Sequence, residues 1–90
     1  MTTNVPRTEV YEAIDGERDY QDSLVDDRFE KPRIELNIAG ELILLREYLR
    51  RTELAYAENP GHVPPAVLVG IRKIAGIAVR ALEQNGVVKR

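Results

Sequence analysis

The chain has 90 residues, of which 43% are apolar and 31% are charged, so it fits one globular domain and is too apolar to be disordered. It has no cysteine, which excludes disulfides and cysteine-ligated zinc. No apolar run exceeds four residues, the length of Leu42–Leu45, which is too short for a membrane span or a signal-peptide core. We therefore expect a soluble, cytoplasmic protein with no membrane partner.

Charge is distributed unevenly along the chain. Residues 1–30 carry nine carboxylates and three cations, residues 31–60 carry five of each, and residues 61–90 carry one carboxylate and five cations. The net charges of these thirds are −6, 0 and +4, which give −2 for the whole chain and a pI of about 5.4. Since the chain has no extended basic stripe, we do not expect duplex nucleic acid as a partner.

The first predicted helix runs from about residue 6 to about residue 22. Pro6 suits a first helical turn, and apolar positions recur at helical spacing at Val10, Ala13, Ile14 and Tyr20. Gly16 weakens this helix by roughly 1 kcal/mol relative to alanine. Residues 26–33 form a charged connector, in which Pro32 favours a break.

The second predicted helix runs from about residue 33 to about residue 58. It carries a stripe that steps by three and four residues, formed by Ile34, Ile38, Leu42, Leu45, Leu49, Thr52 and Tyr56. The apolar surface is widened beyond this stripe by Leu36, Ala39, Ile43 and Leu44. A helix with so much apolar surface must be covered on two sides, one by helix 3 and the other by helix 1 or by a second copy of the chain.

The third predicted helix runs from about residue 65 to about residue 84, between the Pro64-Pro65 start and a stop at Gly86. Its core stripe is predicted at Val67/Leu68, Ile71, Ile74/Ala75, Ala78 and Leu82. A short loop makes helices 2 and 3 an antiparallel hairpin. The predicted fold is therefore all-α with three helices, and the lack of any disulfide favours assembly into a homo-oligomeric bundle.

The acidic residues of the chain do not predict a metal centre or an active site. The glutamates of helix 2 are spaced by six residues, so consecutive members point in different directions, and we interpret them as a solvated face (Glu35, Glu41, Glu47 and Glu53). Ser23 lies among acids and His62 in a loop, so neither indicates a nucleophile or a base. We expect no catalytic residue, no metal and no cofactor.

The cations of helix 3 are the main candidates for ligand binding. Lys73 and Arg80 are seven residues apart and so share a face, with Gly70, Gly76 and Ile77 on or near it. Small residues between two cations leave room for an anion, which could be a phosphate. The alternative is that these cations pair with the acidic helix 1, from the same chain or from a neighbour.

Recognition of a base would need an exposed aromatic side chain. Tyr11 and Arg18 are seven residues apart on one face of helix 1, and a tyrosine among charged residues can stack on a base. Tyr48 lies off the main stripe of helix 2, whereas Tyr56 continues it and is predicted to be core. The sequence leaves open whether Tyr11 binds a ligand or packs between helices.

Two segments resemble small bacteriophage proteins. Residues 10–21, VYEAIDGERDYQ, are similar to their YEAI-x-x-ER-x-YQ start, and residues 71–86, IRKIAGIAVRALEQNG, are similar to their IRKIA-x-x-AVR-x-x-E-x-x-G ending. Such proteins are often called MazG-like, after all-α nucleotide pyrophosphohydrolases whose helices carry ExxE and ExxD metal ligands. Here Arg72 and Lys73 stand where helix 3 would need acids, so the resemblance does not carry the catalytic role with it.

In size and helical build the chain also resembles phage sponge proteins, which sequester the cyclic or ADP-ribose-derived nucleotide signals of bacterial CBASS and Thoeris immunity. This resemblance implies a small nucleotide ligand, a homo-oligomer, and action in the cytoplasm of the infected host. It also suggests binding sites between subunits, where Tyr11 of one chain could meet Arg72, Lys73 or Arg80 of another.

Three functional hypotheses follow from the sequence. The favoured one is a non-catalytic phage protein that binds a nucleotide signal through Tyr11, Arg18, Arg72, Lys73 and Arg80. The second is a module that binds a host or phage protein through helix 2. The third is a divergent nucleotide pyrophosphohydrolase that would use Glu12, Asp15 and either Glu41 or Glu47.

Overall fold

A computed structural model describes residues 4–27 and 37–90 of the chain. These residues form three helices and no strand: α1 is Arg7–Asp27, α2 is Ile38–Ala57 and α3 is Pro65–Asn85. The all-α fold predicted from the sequence is confirmed, and α2 and α3 pack closely against each other. No helix in the described residues is long and apolar enough to cross a membrane.

The boundaries of α2 and α3 follow local capping chemistry. Asn37 has an extended backbone, and its side chain accepts a hydrogen bond from the Gly40 amide at 2.8 Å, so it is the N-cap and α2 begins at Ile38 rather than near residue 33. α3 ends at Asn85, one residue beyond its predicted end, where Gly86 adopts a φ of 104°. The predicted end of helix 1 near residue 22 was wrong, because α1 continues to Asp27 and includes the first two residues of the predicted connector. The rest of that connector, and the predicted positions Ile34, Glu35 and Leu36, lie outside the described residues.

The third helix is the centre of the arrangement. It packs against α2 on one side and against α1 on another, while no pair of Cα atoms within 8 Å joins the described parts of α1 and α2. Close approach to α2 depends on Gly70, because a Cβ there would collide with the Thr52 side chain. Close approach to α1 depends on Gly76, because a Cβ there would lie 2.7 Å from Cγ of Glu17.

The buried interior of the described chain is mostly polar. Among the residues that the structure describes, three apolar side chains are buried, namely Val67, Ile77 and Ala81. Six polar or charged side chains of the same part of the chain are also buried: Glu17, Arg18, Gln21, Glu41, Thr52 and Arg80. Since buried charges must be paired to be tolerated, the two seams of the fold are organised by ion pairs as well as by apolar contact.

Within the described residues, the apolar stripe predicted on helix 2 is largely exposed. Thr52 is buried against α3, but the stripe is 47%, 58%, 52% and 42% exposed at Ile38, Leu42, Leu49 and Tyr56. The core assignment of Tyr56 was therefore wrong for a single chain. The reason is geometric: α3 covers only one edge of the stripe, and the described part of α1 does not reach α2 to cover the other.

The stripe predicted on helix 3 is divided in the same way. Val67 is buried, whereas Leu68, Ile71 and Leu82 are at least half exposed. These three positions lie on the side of α3 that is turned away from both neighbouring helices. At 3.6 residues per turn in two antiparallel helices, the exposed stripes of α2 and α3 fall on the same side of the hairpin, opposite to α1. We call this surface the apolar face; it comprises Ile38, Leu42, Leu49, Tyr56, Leu68, Ile71 and Leu82.

Candidate functional site

An open groove lies between α1 and α3. It has a volume of about 470 Å³ and is lined by Ala13, Gly16, Glu17, Tyr20, Val69, Arg72 and Lys73. Gly16 adds no side chain to the α1 wall, and the space beside it is open, since a Cβ at this position would meet no atom within 4 Å. Tyr20 is 53% exposed one helical turn further along the same wall. The groove therefore combines an accessible aromatic ring with two cationic side chains.

The two cations of the groove are only partly engaged. Arg72 donates from Nε to Oε1 of Glu17 at 2.9 Å, and its side chain is 43% exposed. Its two terminal nitrogens make no hydrogen bond within the described residues. Lys73 is half-buried and forms no ion pair with any residue that the structure describes. Both side chains thus have donors left for an anion.

Glu17 is the one acidic residue in the lining. Its side chain is only 5% exposed, and its second oxygen accepts a long hydrogen bond of 3.4 Å from Nε2 of Gln21. Gln21 in turn accepts from Nη1 of Arg18 at 3.2 Å. The groove is therefore connected to a row of hydrogen-bonded polar side chains along the seam between α1 and α3.

Arg80 does not join Lys73 in this groove. It donates from Nε and Nη2 to the two carboxylate oxygens of Glu41, at 3.1 and 2.9 Å, in a pair whose side chains are 6% and 1% exposed. The solvated-face interpretation was therefore wrong for Glu41, which is the most completely buried large side chain described. The long Arg80 side chain turns toward α2, where this buried carboxylate needs a partner.

Arg18 is also used inside the fold. Its Nε and Nη2 donate to the carboxylate of Glu83 at 2.7 and 3.0 Å, and its Nη1 pairs with Asp22 at 3.0 Å. The hydrogen bond to Glu83 raises the pKa of Arg18, and the same bond lowers the pKa of Glu83. The pair between Glu17 and Arg72 joins an acid of α1 to a cation of α3, whereas the pair between Arg18 and Glu83 joins a cation of α1 to an acid of α3.

The five predicted binding residues are thus divided by the structure. Arg72 and Lys73 come together in the groove, whereas Arg18 and Arg80 are buried in ion pairs. Tyr11 is 59% exposed and shares the edge of α1 with Arg18, away from the groove. The aromatic residue of the groove is Tyr20, for which the sequence pattern predicts a position on an apolar stripe. The spacing of Ala13, Gly16 and Tyr20 on one edge of α1 was the available signal.

The acidic residues proposed for a hydrolase are not brought together. Glu12 and Asp15 are exposed on α1, Glu41 is paired with Arg80, and Glu47 accepts from Arg50 and Arg51 at 2.7–3.1 Å. Hydrogen bonds from Arg50 and then Arg51 lower the pKa of Glu47 to about 2. The described residues contain no group of three or more His, Cys, Asp or Glu side chains that could hold a metal ion.

No family model, curated protein or solved structure matches this chain. The resemblances noted in the sequence therefore remain predictions, and the functional argument depends on the groove itself.

Proposed function

We propose that this protein is a non-catalytic phage anti-defence protein that binds and sequesters a cyclic or ADP-ribose-derived nucleotide signal in the host cytoplasm, as a homo-oligomer. The observation that carries the proposal is the groove between α1 and α3, in which Tyr20, Arg72 and Lys73 surround open space. The sequence resemblance to small phage proteins supports the biological setting.

The chemistry of the groove suits a nucleotide. A guanidinium with free terminal nitrogens can pair with two phosphate oxygens, and an ammonium beside it adds a point charge. An exposed tyrosine ring offers a stacking surface for a base. Ala13, Gly16 and Val69 supply the apolar surface and the space that a ring system needs. A volume of about 470 Å³ lies within the usual range for small-molecule sites.

Self-association forms part of the proposal because one chain leaves its apolar face uncovered by any described residue. Monomeric proteins rarely expose a contiguous apolar surface of this kind, and a second copy is the simplest cover. Tyr11 could act in binding only from outside the groove of its own chain, so its predicted role belongs to contacts between copies.

The test begins with a mixed pool of nucleoside triphosphates, cyclic oligonucleotides and cyclic ADP-ribose isomers, incubated with the protein and Mg²⁺. Chromatography of the free pool is then compared before and after heat denaturation of the protein. We expect one species to disappear and to return unchanged on heating. A species converted to monophosphate and pyrophosphate would show an enzyme, and an unchanged pool would refute nucleotide binding.

Matched variants assign the activity to the groove. Lys73→Ala should weaken capture of the depleted species at least tenfold, because it removes one of two cations, whereas Lys89→Ala removes the same side chain from the exposed C-terminal segment and should leave capture unchanged. Gly16→Leu should block the groove sterically while keeping the helical signal in circular dichroism. Capture that survives both groove variants would place the site elsewhere.

The apolar face favours a second candidate function, in which the chain binds a host or phage protein. An exposed apolar face of two adjacent helices is also the geometry of helix-mediated recognition. The two candidates differ in what covers this face: a stable oligomer of the purified chain favours the first, and a monomer that retains an exposed face favours the second.

A further inference from the structure

Glu17 is a negatively charged residue in a groove that is proposed to bind an anion. Its carboxylate is the one negative group in the lining, and Oε1 accepts from Nε of Arg72 at 2.9 Å. We infer that Glu17 is an internal competitor for Arg72, which the anionic group of the ligand displaces, and that it thereby limits affinity and permits release. The inference depends on the proposed function only in assigning the same groove.

The unequal burial of the two partners determines which one moves. The side chain of Glu17 is 5% exposed and that of Arg72 is 43% exposed. An arginine with a partly solvated head can rotate toward the groove while its aliphatic stem stays packed, so the main cost of the exchange is that Glu17 loses a counter-ion. Arg72 therefore turns to the ligand, and Glu17 stays in the seam between α1 and α3.

The seam can hold Glu17 after Arg72 leaves. A buried carboxylate without a partner would be costly, but Gln21 already donates to Oε2 of Glu17, and its amide is itself bound by Arg18. The present Gln21 bond is long, at 3.4 Å, so it can shorten when Arg72 no longer holds the other carboxylate oxygen of Glu17. The lack of a Cβ at Gly76 leaves these two side chains their space. Glu17 therefore keeps a hydrogen-bond donor after Arg72 has turned to the ligand.

The direction in which a substitution of Glu17 changes the affinity for anions shows whether Glu17 competes with the ligand or only positions Arg72. Glu17→Gln keeps the size of the side chain and an oxygen that can accept from Arg72, but it removes the charge. If Glu17 competes with the ligand, this variant should bind anions about tenfold more tightly, since a like charge next to the anion is gone. If Glu17 instead holds Arg72 in place for the ligand, the same variant should bind anions more weakly.

The experiment is a titration of the full-length, ¹⁵N-labelled protein with inorganic pyrophosphate, followed at the Nε–Hε resonance of Arg72 by NMR. In the wild type we expect this resonance to move as the bond to Glu17 is exchanged for one to phosphate. Glu17→Gln should reach half-saturation at about one tenth of the pyrophosphate concentration. Adenosine has no phosphate, so the wild type and Glu17→Gln should respond to it equally.

Several outcomes would overturn the inference. These are an equal or weaker response of Glu17→Gln to pyrophosphate, or an Arg72 resonance that does not move in the wild type. If Glu17→Gln lost its helical signal, Glu17→Asp would replace it, because the shorter side chain loosens the bond to Arg72 and should also tighten pyrophosphate binding, whereas weaker binding would overturn the inference. A separate result is that Glu17→Gln binds pyrophosphate more tightly than the wild type while no nucleotide is captured from the mixed pool. That pair of results would refute the proposed function and leave the role of Glu17 intact.

Discussion

At the scale of single residues, the most demanding interaction in this protein is the pair formed by Arg80 and Glu41. Both side chains are almost fully buried, and each carboxylate oxygen receives one guanidinium nitrogen. Taking two charges out of water is expensive, and the geometry of a two-point pair is needed to offset that cost. The pair therefore contributes more to fixing how α2 meets α3 than to the net free energy of folding.

Removing one partner of this pair should be far worse than removing both. We expect Arg80→Ala to lower the free energy of unfolding by about 3–5 kcal/mol, because it leaves a buried carboxylate without a counter-ion. The double variant Arg80→Met/Glu41→Leu should recover most of that loss. Urea unfolding followed by circular dichroism measures both values.

The exposed variant Arg50→Ala is the matched control, since Arg50 pairs with Glu47 at the surface of α2. It should leave the urea midpoint almost unchanged, because an ion pair exposed to water contributes little to stability. An Arg80→Ala protein as stable as this control would show that Glu41 finds another partner or is not buried in solution.

At the scale of elements, the glycines of α1 and α3 have opposite roles. Gly70 is in contact with Thr52, whose Cβ would lie 3.2 Å from a Cβ added at this position, and the Thr52 hydroxyl is held by the Tyr48 carbonyl at 2.8 Å. Gly16 faces the open groove and meets nothing. One glycine is required by packing, and the other keeps space free at a cost to its helix.

The same substitution at these two positions should therefore have opposite effects. Gly16→Ala should raise the free energy of unfolding by up to about 1 kcal/mol, the difference in helix propensity. Gly70→Ala should lower it by about 1–3 kcal/mol, because the β-branched Thr52 cannot easily move aside. Thermal and urea unfolding of the two variants provide the comparison. Destabilisation by Gly16→Ala would mean that the groove is filled in solution.

The helices were predictable from the sequence because they depend on local chemistry. Periodic apolar residues, the Pro64-Pro65 start and the Gly86 stop placed α3 within one residue at its end. The start of α2 was missed because Asn37 was not read as an N-cap that accepts a bond from the Gly40 amide. Local patterns of this kind say where a helix lies but not which of its faces is covered.

The site was only half predictable, since partners at long sequence separation decide what each cation does. Lys73 and Arg80 are equivalent in a helical pattern, yet Arg80 is taken by Glu41, 39 residues away, and Lys73 is left in the groove. Tyr20 was assigned to an apolar stripe because a half-polar ring satisfies the same periodicity. Which residues remain available for a ligand follows from the ion pairs, and those depend on the tertiary arrangement.

At the scale of the whole molecule, the distribution of apolar surface is the reverse of what a stable monomer needs. Charged pairs fill the seams, and the apolar face is exposed along two adjacent helices. A small chain without disulfides gains little stability from the three apolar side chains that are buried in its described part. Self-association would bury the apolar face and supply the missing hydrophobic stabilisation.

We therefore expect the purified protein to be an oligomer whose interface is the apolar face. Leu49→Glu places a charge at the centre of the α2 stripe and should shift the mass measured by light scattering toward that of the monomer. It should also lower the unfolding temperature, since the face would then stay exposed to water.

Leu54→Glu provides the control for that change. Leu54 is 53% exposed, nearly the same as the 52% of Leu49, and it lies on the same helix, but it points away from the apolar face. The same substitution should therefore leave the oligomer intact. Dissociation by Leu54→Glu alone would place the interface on the other side of α2. A wild-type chain that is monomeric at all concentrations would leave the apolar face for a different protein, and the interaction-module function would then replace the sequestration proposal as the better explanation of this surface.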